Sequence, residues 1–245
     1  MPLGSAWQRG RVLLPALGLV VLAVAFLIAL AIISATVGGD AVLVGVMAAV
    51  LPVLPVVAVF LWVDRWEPEP PRLLLAAFLW GAGISVLGAT IVNDTATAFG
   101  ERVLGTGGGD LVGAVISAPV IEEALKGSFL VGLLWLRRRE FDGVVDGIVY
   151  AGLVATGFAF TENVLYFGRA FAIDGLVGDG GGVATVFFMR GVIAPFAHPV
   201  FTALTGIAVG LAGRRHTQVL CALLPFFGDW GAVGLHQLWY ASSGS

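Results

Sequence analysis

Five side chains able to do acid–base or metal chemistry sit in stretches that are otherwise apolar. Glu122 and Glu123 lie in APVIEEALKGSFL, Glu162 in GFAFTENVLYFGRA, His198 in FMRGVIAPFAHPVF and His236 in GLHQLWY. Carboxylates with imidazoles suit either a zinc site or a metal-free acid–base site. In both, a glutamate can take a proton from water, and opposing groups can stabilise the oxyanion of an attacked peptide carbonyl. Adjacent Glu122 and Glu123 point about 100° apart on a helix and cannot share one face. Lys126 follows the first by four residues and the second by three, within reach of either. A neutralising ion pair explains one glutamate with one lysine and leaves a carboxylate over. Glu162 has no cation at helical spacing in its own segment, so a group on another helix must satisfy it. Asn163 beside it and Arg190, eight residues before His198, are supporting polar groups.

The segments that must carry these residues are membrane spans. The chain has 245 residues, is 58% hydrophobic and only 12% charged. Ordinary soluble domains are near half apolar and about a quarter charged. Seven runs approach or exceed the roughly 20 apolar residues a span needs: 12–36, 41–63, 72–92, 111–136, 144–168, 182–212 and 217–240. The expected fold is therefore all-α, a polytopic transmembrane bundle of about seven spans forming a single integral membrane domain over 1–245. The first run follows Arg9 and Arg11 but is longer than a signal-peptide core of roughly 7–15 residues, so it reads as a retained helix. Charged residues inside spans are costly and by default mark a functional interior.

Arginine placement predicts the orientation. Arg9, Arg11, Arg65, Arg72, Arg137, Arg138, Arg139, Arg214 and Arg215 fall in alternate connections, and only Arg102 and Arg169 in the others. Basic loops stay inside, so the N-terminus is expected inside and the C-terminus outside. His216, in the last basic connection, reads as a surface residue.

Several chemistries are excluded or disfavoured. The single cysteine, Cys221, rules out an internal disulfide and a cysteine-cluster metal site. HExxH is absent, no serine has a nucleophile context, and Asp146 and Asp229 do not form the paired motif of an aspartyl protease. A proton- or ion-coupled transporter or channel could use the same buried set. Against it, the sequence has no matching halves and no paired interrupted spans. A purely structural subunit would not need five polar side chains distributed over four spans.

In order, EEALK, GFAFTENVLY, AHPVFTALTGIAVG and LHQLW resemble the PrsW family of bacterial intramembrane proteases, distant relatives of the CAAX prenyl proteases. DRWEPEPPRLLLAAFLWGA, 64–82, is similar to that family's acidic, proline-containing loop running into a span. The resemblance spans 50–240, the expected protease core. It implies a multi-pass peptidase of the bacterial cell membrane that cleaves a single-span or membrane-anchored protein, such as an anti-sigma factor, with the lipid bilayer as its other partner and no nucleic acid. It carries Glu122, Glu123, Glu162, His198 and His236 onto the active site. Where many relatives have an asparagine four residues after the last histidine, this chain has Tyr240. With zinc bound, Glu162, His198 and His236 are the expected ligands and the paired-glutamate helix supplies the base. Without metal, the imidazoles donate to the oxyanion while Glu162 orients one of them. Glu123 is the expected base, and Glu122 the expected partner of Lys126.

Depth exposes a strain. At about 1.5 Å per residue from the outer ends, the paired glutamates lie roughly 16 Å deep, Glu162 roughly 9 Å and His236 roughly 6 Å, but His198 roughly 24 Å. Straight helices cannot bring these together. Tilt, a distortion at Pro195 and Pro199, or a late start of the sixth span is required.

Reporter fusions within 105–110 and 174–182 test the orientation. Both are expected to read extracytoplasmic, and a cytoplasmic reading at both would invert the topology.

Overall fold

The computed structural model describes residues 3–138, 141, 143–215 and 217–243, with side chains described between Leu13 and Tyr240. The expectations for Arg139 and His216, and for the side chains of Arg9 and Arg11, lie outside the described residues. A helix occupies each of the seven apolar runs. They are α1 (Leu3–Val37), α2 (Gly39–Asp64), α3 (Pro71–Leu104), α4 (108–136), α5 (Val144–Asp174), a sixth span in two pieces, α6 (182–193) and α7 (Ala197–Gly213), and α8 (Gln218–Ser243). Six of these spans are long and apolar enough to cross a membrane. The remaining helix, α4, carries Glu122, Glu123 and Lys126 within one turn, all buried.

Helix α5 is the centre of the bundle: 78% of its most apolar 18-residue stretch is buried, against 39% or less for the corresponding stretches of the other five. Association between helices in a bilayer depends on close packing, because lipid tails are as apolar as leucine. Accordingly small residues, on α5 or on its neighbour, lie where the helices cross. Gly147 lies against the backbone of Gly206 and Gly210 on α7, so the small-residue stripe seen in the sequence is a helix crossing. Gly157 lies against Phe78 and Ala82 on α3, and Gly45 of α2 packs on the backbone of Val164. Tyr150, Val154, Val164 and Phe167 fill the remaining interior.

Three helices contain wider, π-type turns, at Trp80–Ser85, Leu111–Ser117 and Phe188–Ile193. Such turns disturb the regular backbone ladder, and each disturbed carbonyl needs another donor inside a membrane. At the first, Thr161 Oγ1 of α5 donates to the Ala82 carbonyl at 2.8 Å. Trp80 itself donates through Nε1 to the Leu125 carbonyl of α4 at 3.0 Å, tying α3 to the turn that bears the glutamates.

Adding a side chain at the α5–α7 crossing should be costly. Gly147→Val would drive its Cβ into the Gly206 carbonyl, and overpacking of this kind is expected to destabilise by about 1–3 kcal/mol. Gly132→Ala, where nothing lies within 4 Å, should leave thermal unfolding in detergent undiminished. Equal midpoints for the two variants would contradict the crossing.

Candidate active site

The sixth span breaks where the depth argument requires. Pro195 lacks a backbone donor and disfavours helix at Ala194. The chain leaves the helix at Ala194, turns through Pro195 and Phe196, and restarts at Ala197. His198 thus belongs to the first turn of α7 rather than to the middle of a continuous rod. It meets α4, α5 and α8.

Two glutamate–histidine pairs result. On one side, His236 Nδ1 donates to Glu123 Oε1 at 3.1 Å. Lys126 Nζ donates to the same oxygen at 2.7 Å, and Thr202 Oγ1 donates to Oε2 at 2.8 Å. Glu123, Lys126 and His236 are almost completely buried, so Glu123 is a saturated junction between α4, α7 and α8. On the other side, His198 Nε2 meets Glu162 Oε2 at 2.9 Å. Arg190 Nη2 donates to that oxygen as well, and its Nε donates to Asn163 Oδ1 at 2.7 Å. The guanidinium also lies 4.1 Å from the centre of the Tyr166 ring. Glu162 therefore finds its partners on α6 and α7, as its isolation within α5 demanded.

Lys126 joins the two pairs. Its ammonium lies 3.2 Å from His198 Nδ1 and 4.1 Å from the centre of the Phe158 ring. An ammonium can only donate, so Nδ1 of His198 accepts and Nε2 carries the proton directed at Glu162. Lys126 forms the expected ion pair with Glu122, at 3.8 Å to Oε2, but its shorter contact, 2.7 Å, is with Glu123. The lysine is drawn toward His198 and Glu123, leaving Glu122 behind on the other face of α4. Glu122 Oε2 is buried with no hydrogen-bond partner.

Glu122 and Glu162 line a cavity of about 430 Å³ between α1, α3, α4 and α5, together with Tyr166 and Tyr240. Thr90, Asn93 and Thr97 give its α3 wall a polar stripe. Tyr240 stacks on His236 with ring centres 5.3 Å apart, and His198 and His236 stand edge to face at 5.2 Å. One carboxylate oxygen of Glu122 and one nitrogen of each imidazole lie within 4.8 Å of one another, so these three residues could hold a metal ion. The fit is supported by the Glu122 oxygen that lacks a hydrogen-bond partner and by Glu123 behind the His236 ring, an arrangement that fixes the tautomer at metal sites, whereas the lone pair of His198 left by Glu162 is the one that accepts from Lys126. The grouping contains Glu122 where the sequence led us to expect Glu162, because Arg190 engages Glu162.

The sequence reading missed Thr202 and Phe158. Thr202 is four residues after His198, on its helical face, and that spacing was a usable signal. Nothing local announced that Phe158 would lie over a lysine 32 positions earlier in the chain.

Residues 69–245 match the family described as PrsW family intramembrane metalloprotease. The chain is 29% identical to the protease PrsW of Geobacillus kaustophilus over 187 residues, covering 74% of this chain and 75% of that one. It is 29% identical to the protease PrsW of Bacillus subtilis over 167 residues, 68% of each chain. For that of Clostridioides difficile the identity is 29% over 191 residues, covering 71% and 72%. No solved structure matches the chain.

The Arg190–Glu162 pair predicts a thermodynamic cycle. Arg190→Met leaves a buried carboxylate without its cation, a change that costs about 3–5 kcal/mol in comparable sites. Arg190→Met combined with Glu162→Gln should recover most of that loss in detergent unfolding. Additive losses would mean that the two side chains do not interact.

Proposed function

This chain belongs to the PrsW family of intramembrane metalloproteases, and on that premise we propose that Glu122 is the residue through which it activates water against a peptide bond. The protein is a multi-pass membrane protease; the roles of its individual residues, and the extent of the core over 50–240, are our assignment. The observation that carries it is the contrast between the paired glutamates. Both oxygens of Glu123 accept short hydrogen bonds, whereas Glu122 Oε2 is buried without one, in a side chain that lines the cavity.

In the proposed reaction the scissile carbonyl enters the cavity beside Glu122 and Glu162. Glu122 accepts a proton as water adds to the carbonyl carbon. The imidazoles of His198 and His236 lie within 4.8 Å of Glu122 with their N–H groups directed at Glu162 and Glu123, so they border the reacting carbon without donating to its oxygen. The proton held on Glu122 then passes to the departing amine nitrogen, so that water is divided between a new carboxyl and a new amino terminus. Glu123 holds His236 and Lys126 in place, and Glu162, clamped by Arg190, holds His198. Zinc suits this donor set; if held by Glu122, His198 and His236 it would supply Lewis acidity to the water and the carbonyl, and Glu122 would then serve as a ligand rather than as the base. The cavity's position within the spans favours a single-span or membrane-anchored protein as substrate, and an anti-sigma factor is the class we propose.

The test is cleavage of such a substrate in proteoliposomes, with metal content measured on the same protein. Glu122→Gln is expected to lower kcat by at least ~10²-fold, the scale of a lost general base. Wild-type turnover by Glu122→Gln would defeat the assignment. If the protein carries stoichiometric zinc, Glu122→Gln, His198→Gln and His236→Gln should each lower it, while Glu162→Gln should not remove the ion directly.

A further inference from the structure

Helix α8 carries an ionisable residue that the reaction above does not use. Asp229 is the twelfth of the 23 residues in the span Gln218–Tyr240, near the middle of the bilayer. Among the described residues its hydrogen-bond partner is Thr205, whose Oγ1 donates to Oδ1 at 3.3 Å. The side chain is only half-buried and faces a second cavity, of about 450 Å³, between α4, α7 and α8. This groove is separate from the one lined by Glu122 and Glu162. Apart from Thr205 and Ser128 its walls are otherwise apolar, and it opens on the outside of the bundle, where Ala124, Ser128 and Trp230 are exposed. A carboxyl group at that depth facing lipid is costly. Something must cover it.

The groove's course says what. It begins at Trp135 and Cys221, the end of the bundle that bears Arg138 and Arg215, and runs to Val120 and Val233. There it reaches the level of the catalytic residues, since Glu123 follows Val120 by three residues and His236 follows Val233 by three. Its floor at Gly127, next to Lys126, lies directly against Asp229. On α4 the positions 120, 124, 127 and 131 form one stripe, from which Glu123 is offset by roughly 60° and Glu122 by roughly 160°. The groove is thus about one helix long and runs along the side of α4 next to Glu123, with α4 itself between it and the cavity lined by Glu122. Small residues in its floor allow another backbone to approach closely.

We propose that this groove is where the transmembrane helix of the substrate docks, with a hydrogen-bond donor at mid-span paired to Asp229. The inference rests on the protease reading above and supplies what that reading lacks, a seat for the helical part of a single-span substrate. Docking there holds the helix below the catalytic level, so that the chain at its end can unwind into the site. Asp229 makes the seat selective: a helix offering Asn, Gln, Ser or Thr at that depth satisfies the carboxyl, and an all-aliphatic one does not.

The test uses the full protein in liposomes with a synthetic single-span peptide of leucine and alanine. The peptide carries two glycines four residues apart, a central asparagine and a photoactivatable benzophenone. Cross-links should map to 120–135 and 221–233. The asparagine peptide should be preferred over its central-leucine counterpart by roughly threefold, the size of an average interhelical hydrogen bond. Asp229→Leu should abolish that preference. Ala124→Trp, at an exposed position, should lower the yield by roughly tenfold, the scale of an overpacked contact, while Met47→Trp on the exposed face of α2 should not. Cross-links elsewhere, cross-links between Ala124→Cys copies of the protein itself, or a yield no higher than that of lipid alone would each overturn the docking site. Cleavage is scored separately in the same liposomes. Cross-links in the groove without cleavage would support the seat and count against the role given to Glu122. Cleavage with cross-links elsewhere would do the reverse.

Discussion

The ammonium of Lys126 lies 2.7 Å from Glu123, 3.2 Å from His198 and 3.8 Å from Glu122, in a part of the protein where its side chain has no exposed surface. In a low-dielectric interior a charge must find partners, and unpaired charges are far more costly than in water. That requirement brings α4 and α7 together at one point. Glu123, which shares the lysine, extends the junction to α8 through His236 and secures it to α7 through Thr202. His198 extends it to α5 through Glu162. The catalytic residues are therefore the polar interior of the bundle rather than additions to it, so their geometry and the packing of four helices are one problem.

The same constraint separates the two adjacent glutamates. Only one can share the lysine closely, since they project from different faces of α4. The one that does is locked by three hydrogen bonds; the other, 3.8 Å from the lysine, keeps a buried oxygen without a hydrogen bond in a side chain that lines the cavity. A pair identical in type thereby acquires two environments, one suited to holding neighbours in register and one to meeting a reactant. Glu162 shows the same logic from the opposite side. One oxygen of its carboxylate, Oε2, is held by both Arg190 and His198, which makes it an orienting group for the imidazole.

A buried set of glutamates, histidines and basic residues is also what a proton-coupled transporter would display. Here the family match and the curated relatives, all proteases, favour hydrolysis. The break in the sixth span also has a local use consistent with that activity. It sets His198 at the start of α7, against the glutamates of two other helices. Close glycine crossings along α5 then hold the surrounding helices near enough for short side chains to meet across them.

Much of this was legible in the residues alone. Seven apolar runs set the helical membrane fold, because a bilayer accepts few other ways to satisfy a backbone. The cost of burying Glu122, Glu123, Glu162, His198 and His236 marked them as one interior set before any contact was known. Pro195 and Pro199 marked a distortion near His198, and Gly206 and Gly210 a close crossing. What stayed hidden were the pairings between helices. Helical spacing put Lys126 within reach of both glutamates, and only the position of His198 on another helix decided between them. Nothing within α5 could name Arg190 as the cation for Glu162, and nothing within α8 could show that Asp229 faces an open groove. Periodicity fixes which face of a helix a side chain occupies. The rotation and offset of one helix against the next, which determine what that face meets, arise only when all of them pack.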